Sequence, residues 1–245
     1  MVKIGIIQTK SYSSNHEGIK TVSRLLQAQG KKESDIVCLP EQWLKDNRIS
    51  NVEEEFADFK KIAKEYSMVV IPGAFYERRK NCFAITSAVI GPTGEIIGRQ
   101  EKIHPFDYER NLVVPGRKTQ VFKTKCKFGI VICYDMVFPG VVNSLVKKGA
   151  DIILSPSRIV RRGIIPWHLY VQARALENRI PILAANVENH RFGGNSAIVD
   201  LVENEGVVIP KLTKLKGQKA VSKSFVLSKY AKSRKIRFSD ARSFS

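Results

Sequence analysis

The sequence predicts an α/β protein of one domain, residues 1–245, in which helices cover stacked sheets. Three observations point there. Short β-branched apolar runs, the mark of buried strands, alternate with segments that are apolar at helical spacing. The 245 residues are 43% hydrophobic, enough for a sizeable core. No composition shift, internal repeat or low-complexity linker divides the chain.

The elements follow in order. Residues 3–8 read as a first buried strand, closed by Gln8. Residues 17–29 place Ile19, Val22, Leu25 and Leu26 on one helical face, and Gly30 is a natural stop. A second strand, residues 35–39, runs into Pro40 and Glu41, so a carboxylate stands just past its carboxyl end. A helix over 52–66 buries Phe56, Phe59, Ile62 and Ala63, and a third strand spans 68–75, with Pro72-Gly73 marking a bend within or just past it. Residues 84–90 and 95–99 form a hairpin about Gly91-Pro92-Thr93-Gly94, and the returning strand exits into Lys102. A polar loop leads to residues 128–132, an apolar run that stops abruptly at Cys133, Tyr134 and Asp135. Beyond it come a helix over 141–148, a strand over 151–154, a long helix around 167–178, and strands at 182–186 and 197–200. From about residue 211 the chain reads as short strands and a basic tail.

Charge and cysteine usage narrow the function classes. The net charge is +18, and eleven lysines and arginines beyond Pro210 face one acid, Asp240. Such a run can bind nucleic acid, but no recognition motif accompanies it, and a solvated face or an oligomer contact is the simpler reading. Cys38, Cys82, Cys126 and Cys133 show neither a CxxC pair nor metal-ligand spacing with the four histidines. That argues against zinc or a disulfide framework and for reduced thiols in a cytoplasmic protein. Cys38, Cys82 and Cys126 are expected to pack as small hydrophobes. No apolar stretch approaches the roughly 20 residues that span a bilayer, and residues 1–7 are too short a run for a secretory signal.

Glu41, Lys102 and Cys133 thus leave three strand ends, where sites gather in α/β proteins. Each alone has a plain explanation: a helix-start carboxylate, a solvated lysine, a core cysteine. Together their chemistry is coherent. A thiol of pKa about 8.5 needs a base at neutral pH. A carboxylate in a dry pocket can take its proton, and a lysine can stabilise an oxyanion.

These residues resemble the nitrilase, or carbon–nitrogen hydrolase, superfamily over nearly the whole chain. Leu39-Pro40-Glu41 is similar to its first motif and Lys102-Ile103-His104 to its lysine motif, after a hairpin like Gly91-Pro92-Thr93-Gly94. Glu109 with Val114-Pro115-Gly116 is similar to its supporting-glutamate segment. Gly129 to Asp135 with Phe138-Pro139 is similar to its nucleophile motif. Arg174-Ala175-Leu176-Glu177-Asn178, Ala185-Asn186 and Gly194 to Asp200 resemble later blocks, all in order.

The resemblance implies a four-layer α-β-β-α sandwich, protomers paired through helices into a homodimer or larger homo-oligomer, and hydrolysis of a non-peptide carbon–nitrogen bond. It implies Cys133 as nucleophile and Glu41 as base. Lys102 and the Tyr134 N–H would hold the oxyanion, with Glu109 in support. No metal or organic cofactor is implied. Cys-Tyr-Asp points to the small-amide branches, which include omega-amidases, rather than to nitrilases. Val137 and Gly140 stand where the family usually has an arginine and a glutamate, and Leu201 where it often has proline; these departures leave the substrate open.

Trp43, Phe106, Tyr134 and Trp167 are candidate pocket walls, each with the core as the alternative. Arg158 is a candidate for a substrate carboxylate, with solvent or a neighbouring subunit as the alternative. Two other readings stand beside amide hydrolysis: an inactive scaffold of the same fold, and a basic nucleic-acid-binding protein. Within the enzyme reading, a Cys133–His104 pair is the rival to Glu41.

Overall fold

The computed structural model describes residues 1–242. The chain opens with strand β1 (Val2–Gln8), helix α1 (Asn15–Lys31) and strands β2 (Ile36–Cys38) and β3 (Arg48–Ile49). Helices α2 (Val52–Glu55) and α3 (Ala57–Glu65) follow, then β4 (Val69–Ile71), β5 (Phe75–Arg78), β6 (Phe83–Ile90) and β7 (Ile96–Glu101). The second half holds β8 (Val121–Lys123), β9 (Lys127–Ile130), α4 (Pro139–Lys147), β10 (Ile152–Pro156), α5 (Ile164–Asn178) and β11 (Ile182–Ala185). Strands β12 (Ala197–Asn204), β13 (Val207–Lys214) and β14 (Lys219–Phe225) and helix α6 (Ala231–Ser239) complete it.

Two sheets form. One orders its strands β14-β1-β2-β4-β6-β5-β3, with β7 also on β6; the other runs β13-β12-β11-β10-β9-β8. Side chains alternate across the first sheet. Ile4, Ile6, Ile36, Cys38, Val69 and Ile71 enter the cluster shared with the second sheet. Ile7, Val37, Leu39 and Val70 join Val22, Leu26, Phe59 and Ile62 under α1 and α3. Helices α4 and α5 cover the outer face of the second sheet. The result is the four-layer α-β-β-α sandwich.

Three expectations change. Helix α1 does not stop at Gly30 but runs through it, because a Cβ there would lie 2.2 Å from the Tyr66 ring. The glycine permits close packing rather than ending the helix. The expected helix over 52–66 breaks at Phe56, whose φ of −108° and ψ of 29° are not helical. The third strand divides into β4 and β5 at the expected Pro72-Gly73 bend. The region from residue 211 is no loose tail. It supplies an edge strand to each sheet and then α6. Part of its charge is internal: Lys223 and Lys229 bond the buried Asp200 carboxylate, and Arg234 donates to the carbonyls of Ala150 and Arg179.

Topology brings the predicted site together. Strands β1, β2 and β4 are parallel, as are β9, β10 and β11. Strand β6 opposes β4, and β7 opposes β6, so β7 points the way β4 does. Hence β2, β7 and β9 deliver Glu41, Lys102 and Cys133 to the same end of the sandwich. There a Thr9–Val187 bridge and a Glu188 N–H to Thr9 carbonyl bond of 2.8 Å join the two sheets.

Candidate active site

Cys133 opens a single 3-10 turn, Cys133–Val137, with φ +47°, in the left-handed region that a non-glycine residue rarely occupies. The strained corner turns the thiol out of the strand line. Tyr134, near the start of that turn, has no acceptor for its N–H within it, because the first donors of a helix lack partners. Two anchors hold the turn. Asp135, buried, accepts from the Ile103 and His104 N–H groups at 3.1 and 2.7 Å. Arg174, also buried, donates to the carbonyls of Met136 and Val137 at 3.2 and 2.9 Å while gripping Glu177.

Glu41 is positioned by its neighbours' backbone. Its N–H donates to the Ser157 carbonyl at 3.2 Å, and Gln42 turns the chain with φ +46°. Gly73, at φ +119°, lies so close that a Cβ would sit 2.0 Å from the Pro40 carbonyl oxygen, so only glycine lets this corner close. Lys102 is held by main-chain bonds to Ile85 and Gly116, both 2.8 Å. Its Nζ donates to Glu41 Oε1 at 2.8 Å and to Glu109 Oε2 at 2.7 Å, with all three side chains at most 3% exposed. Glu109 also accepts from the Phe106 N–H at 2.7 Å and from Gln42 Nε2 at 3.3 Å.

The Cys133 thiol stands in the field of the Glu41 carboxylate, the Lys102 ammonium and the Arg158 backbone N–H. Burial first, then the Glu41 charge, push its pKa well up; Lys102 opposes them without prevailing, so the resting group is a thiol. Burial works against the Lys102 ammonium, but Glu41, Cys133 and Glu109 outweigh it and raise its pKa. Burial and the neighbouring Glu41 raise that of Glu109, against the pull of Lys102. The group is therefore two acids bridged by one fixed cation, with a protonated thiol beside them. These residues form the floor of a cavity of about 340 Å³.

The family model of the carbon-nitrogen hydrolases matches residues 3–214. The chain belongs to the carbon-nitrogen hydrolase family. It is 27% identical over 203 residues to omega-amidase NIT2 of Xenopus tropicalis, spanning 75% of this chain and 74% of that one. It is 26% identical to omega-amidase NIT3 of Saccharomyces cerevisiae, spanning 81% and 80%. Among solved structures, a carbon-nitrogen hydrolase from Helicobacter pylori G27 superposes with TM-score 0.85 at 22% identity, covering 98% of this chain and 95% of that one. Nit3 of Saccharomyces cerevisiae, a member of the nitrilase superfamily, gives 0.81 at 21%, covering 95% and 93%. An amidase from Nesterenkonia sp. AN1, carrying a covalent adduct at its active-site cysteine, gives 0.78 at 18%, covering 97% and 95%.

The walls of this carbon-nitrogen hydrolase's cavity partly match expectation. Phe106, Tyr134, Arg158 and Trp167 line it; Phe106 meets Tyr134 edge-on at 5.0 Å. Trp43 does not. The turn at Gln42 sends it to the helix side of the sheet, where it is buried against Phe59, Phe75 and Tyr12 and donates to the Pro72 carbonyl at 2.7 Å. His104 packs against the turn that follows Cys133. Its Nδ1 lies 2.9 Å from Asp135 Oδ1, its ring stacks on Phe138 at 3.7 Å, and it does not line the cavity. The four cysteines are free; Cys38 and Cys133 are buried and Cys126 half-buried, but Cys82 is exposed on the β5–β6 turn, against the expectation that it packs as a small hydrophobe. Val137 lines the cavity, and a Cβ at Gly140 would meet nothing within 4 Å.

The sequence reading missed Gln42, Arg174, Arg191 and Phe192. Gln42 follows the Leu39-Pro40-Glu41 motif directly and Arg174 opens the Arg174 to Asn178 block, so adjacency was their signal. Phe192 and Arg191 reach the cavity through a loop pinned by tertiary bonds, and no local pattern marks them. No helix among the described residues is long and apolar enough to cross a membrane.

Proposed function

We propose that the chain hydrolyses the carbon–nitrogen bond of a small amide through a Cys133 thioester. The observation that carries this reading is the buried Glu41–Lys102–Glu109 group standing against the Cys133 thiol on the cavity floor. The omega-amidase names of its relatives and an amidase among its structural neighbours support the same class.

Because the thiol rests protonated, the reaction needs a base in contact, and Glu41 is that base. It takes the proton as Sγ attacks the amide carbon. The oxyanion that forms is met by the Tyr134 N–H and the Lys102 ammonium, both fixed in place before charge develops. Collapse breaks the carbon–nitrogen bond. Glu41 returns its proton to the departing nitrogen, which leaves as ammonia, and an acyl thioester remains. Water enters, loses a proton to Glu41 and attacks the thioester carbon. The carboxylic acid departs and the proton returns to Cys133. Glu109 holds Lys102 between two carboxylates, so that the ammonium keeps its direction.

The test measures ammonia release across a panel of amides, with intact-mass analysis of the enzyme during turnover. The expected result is ammonia from at least one amide and a transient mass increase equal to the acyl group, both absent in Cys133→Ala. Glu41→Gln should lose at least about 100-fold in kcat while remaining alkylatable at Cys133. Turnover retained in Cys133→Ala would end the reading. So would Glu41→Gln turning over normally while His104→Ala does not.

A further inference from the structure

A buried amide links the floor of the cavity to its wall. Gln42 is 4% exposed and does not line the cavity itself, yet it touches two residues that do. Its Nε2 donates to Glu109 Oε1 at 3.3 Å, and its Oε1 accepts from Arg158 Nη2. The two contacts dictate how the amide lies. A guanidinium can only donate and a carboxylate can only accept, so the amide oxygen must face Arg158 and the amide nitrogen Glu109. Turned about, it would set oxygen against carboxylate and nitrogen against guanidinium. Such matching is not general around the cavity. Trp167 also lines it, and its buried indole N–H has no partner among the described residues.

The fold fixes both ends of this link. Gln42 has φ +46°, and its N–H donates to the Ala74 carbonyl at 2.9 Å. Beside it the Glu41 N–H meets the Ser157 carbonyl at 3.2 Å, so the Gln42–Arg158 contact runs alongside a main-chain bond between the two sheets. The Arg158 guanidinium is steadied by the Tyr108 hydroxyl at 3.2 Å and by the Phe192 ring at 4.8 Å. Glu109 sits among charges from several elements. Glu41 and Lys102 act on it from the ends of β2 and β7, and Tyr76 of β5 lies within reach of its field. Burial and Glu41 favour its protonated form, and every hydrogen bond given to its charged form opposes them.

Resting on the amide-hydrolase reading above, we propose that Gln42 is a positioning residue that carries the influence of the Arg158 charge to Glu109 and keeps that acid ionised. The consequence falls on Glu41. While Glu109 is a carboxylate, the Lys102 ammonium is shared between two acids. Once Glu109 takes a proton, the ammonium belongs to Glu41 alone, and a carboxylate so neutralised is a poorer acceptor for the Cys133 proton. The anchored amide resists that change, because the NH2 group it presents favours the charged form of Glu109. Arg158 in turn holds the amide in the one orientation that presents it.

The test follows alkylation of Cys133 by iodoacetamide from pH 4 to 9, read by peptide mass, beside kcat/KM over the same range for any amide the full chain hydrolyses. In Gln42→Met, which fills similar space without the amide, the acid limb of both profiles should move up by about 1 pH unit. Gln42→Glu keeps an oxygen for Arg158 but turns another to Glu109, and should move the limb further. Arg158→Met lies outside the buried corner and should move it the same way as Gln42→Met. The two changes together should move it no more than the larger one alone, since both act through one link. In a Glu109→Gln background none of them should move it. Thermal melts check that each variant is folded, and if Gln42→Met is not, Arg158→Met decides alone. A limb that stays at the wild-type pH in the folded variants would overturn the proposal, as would a shift that persists in Glu109→Gln. Alkylation needs no turnover, so the two readings fail separately. A limb that moves in an enzyme releasing no ammonia from any amide would refute the hydrolase reading and keep this one. Ammonia release with a limb that never moves would refute this one and keep the other.

Discussion

The floor and the rim of one cavity treat charge in opposite ways. On the floor, Glu41, Lys102 and Glu109 are almost wholly buried and satisfy one another within 2.8 Å. At the rim, Arg158 and Arg191 are partly open to solvent and meet an aromatic ring and neutral oxygens instead of acids. Buried charge survives only where it is paired and hydrogen-bonded, so the floor cannot vary one member at a time. A rim cation keeps much of its hydration and can change without endangering the fold. Physical necessity therefore fixes the charges of the floor as a set and leaves those of the rim free to vary.

Removing the central charge of the floor is the strongest way to break this contrast. In Lys102→Gln two carboxylates face each other in a dry site, and the loss of one partner from a buried ion pair costs about 3–5 kcal/mol. The sign of its pH dependence follows. Glu109 is already held above its ordinary value by burial and the neighbouring Glu41, and without the opposing lysine it rises further. The protonated forms are then the ones the fold accepts. The deficit should be small below about pH 4 and should grow as pH rises through the folded values, reaching its full size at neutrality. Thermal melts of wild type and variant from pH 4 to 8 check this. Arg191→Gln, measured beside it, should stay within about 0.5 kcal/mol of wild type at every pH. A flat deficit for Lys102→Gln would mean that the pair is not holding charge as described.

The same contrast explains what could be read from the sequence. Glu41, Lys102, Glu109 and Cys133 were legible because a strand's end is visible locally, and because a mutually dependent charge group travels as a set of motifs. The layers were legible because Ile4, Ile6, Ile36 and Cys38 alternate with Ile7, Val37 and Leu39 at period two. The rim was half legible. Arg158 follows a strand, but Arg191 and Phe192 reach the cavity only through the Val160–Phe192 bridge, which is a tertiary event. The basic segment beyond Pro210 misled for a related reason. Its lysines look alike in sequence, yet Lys223 and Lys229 find Asp200 while others face solvent, and composition cannot distinguish them.

That Asp200 group offers a smaller and independent test, since it is a charge cluster with no chemistry to perform. Burial would raise the Asp200 pKa, but hydrogen bonds from Lys223 and Tyr230 and the lysine charges overcome it and bring it down to about 2. A carboxylate depressed in the fold contributes stability above its unfolded value of about 3.9, and the contribution is lost as pH falls towards 2. Asp200→Asn should therefore cost about 1–2 kcal/mol at neutral pH, discounted for the partly exposed lysines. The cost should vanish near pH 2. Denaturant titrations at pH 7 and pH 3 measure it, and turnover per folded molecule should not change. A loss of turnover would tie the C-terminal segment to the cavity in a way that neither floor nor rim suggests.

The finest test concerns Trp43, which stands two residues from Glu41 yet on the other side of the sheet. Its indole donates to the Pro72 carbonyl, in the segment leading to Gly73, whose close approach to Pro40 shapes the Glu41 corner. Trp43→Phe keeps an aromatic body among Phe59, Phe75 and Tyr12 but leaves a buried carbonyl without its donor. Stability should fall by about 1–3 kcal/mol, measured by denaturant unfolding. Catalysis should respond through the Glu41 corner alone: kcat drops by the same factor for every amide, and the ranking of substrates is preserved. Trp167→Phe removes the unpaired donor in the cavity and should instead reorder the substrates with little change in stability. If Trp43→Phe reordered them, the sheet would not separate the helix-side core from the cavity, and the assignment of Trp43 to the core would fail.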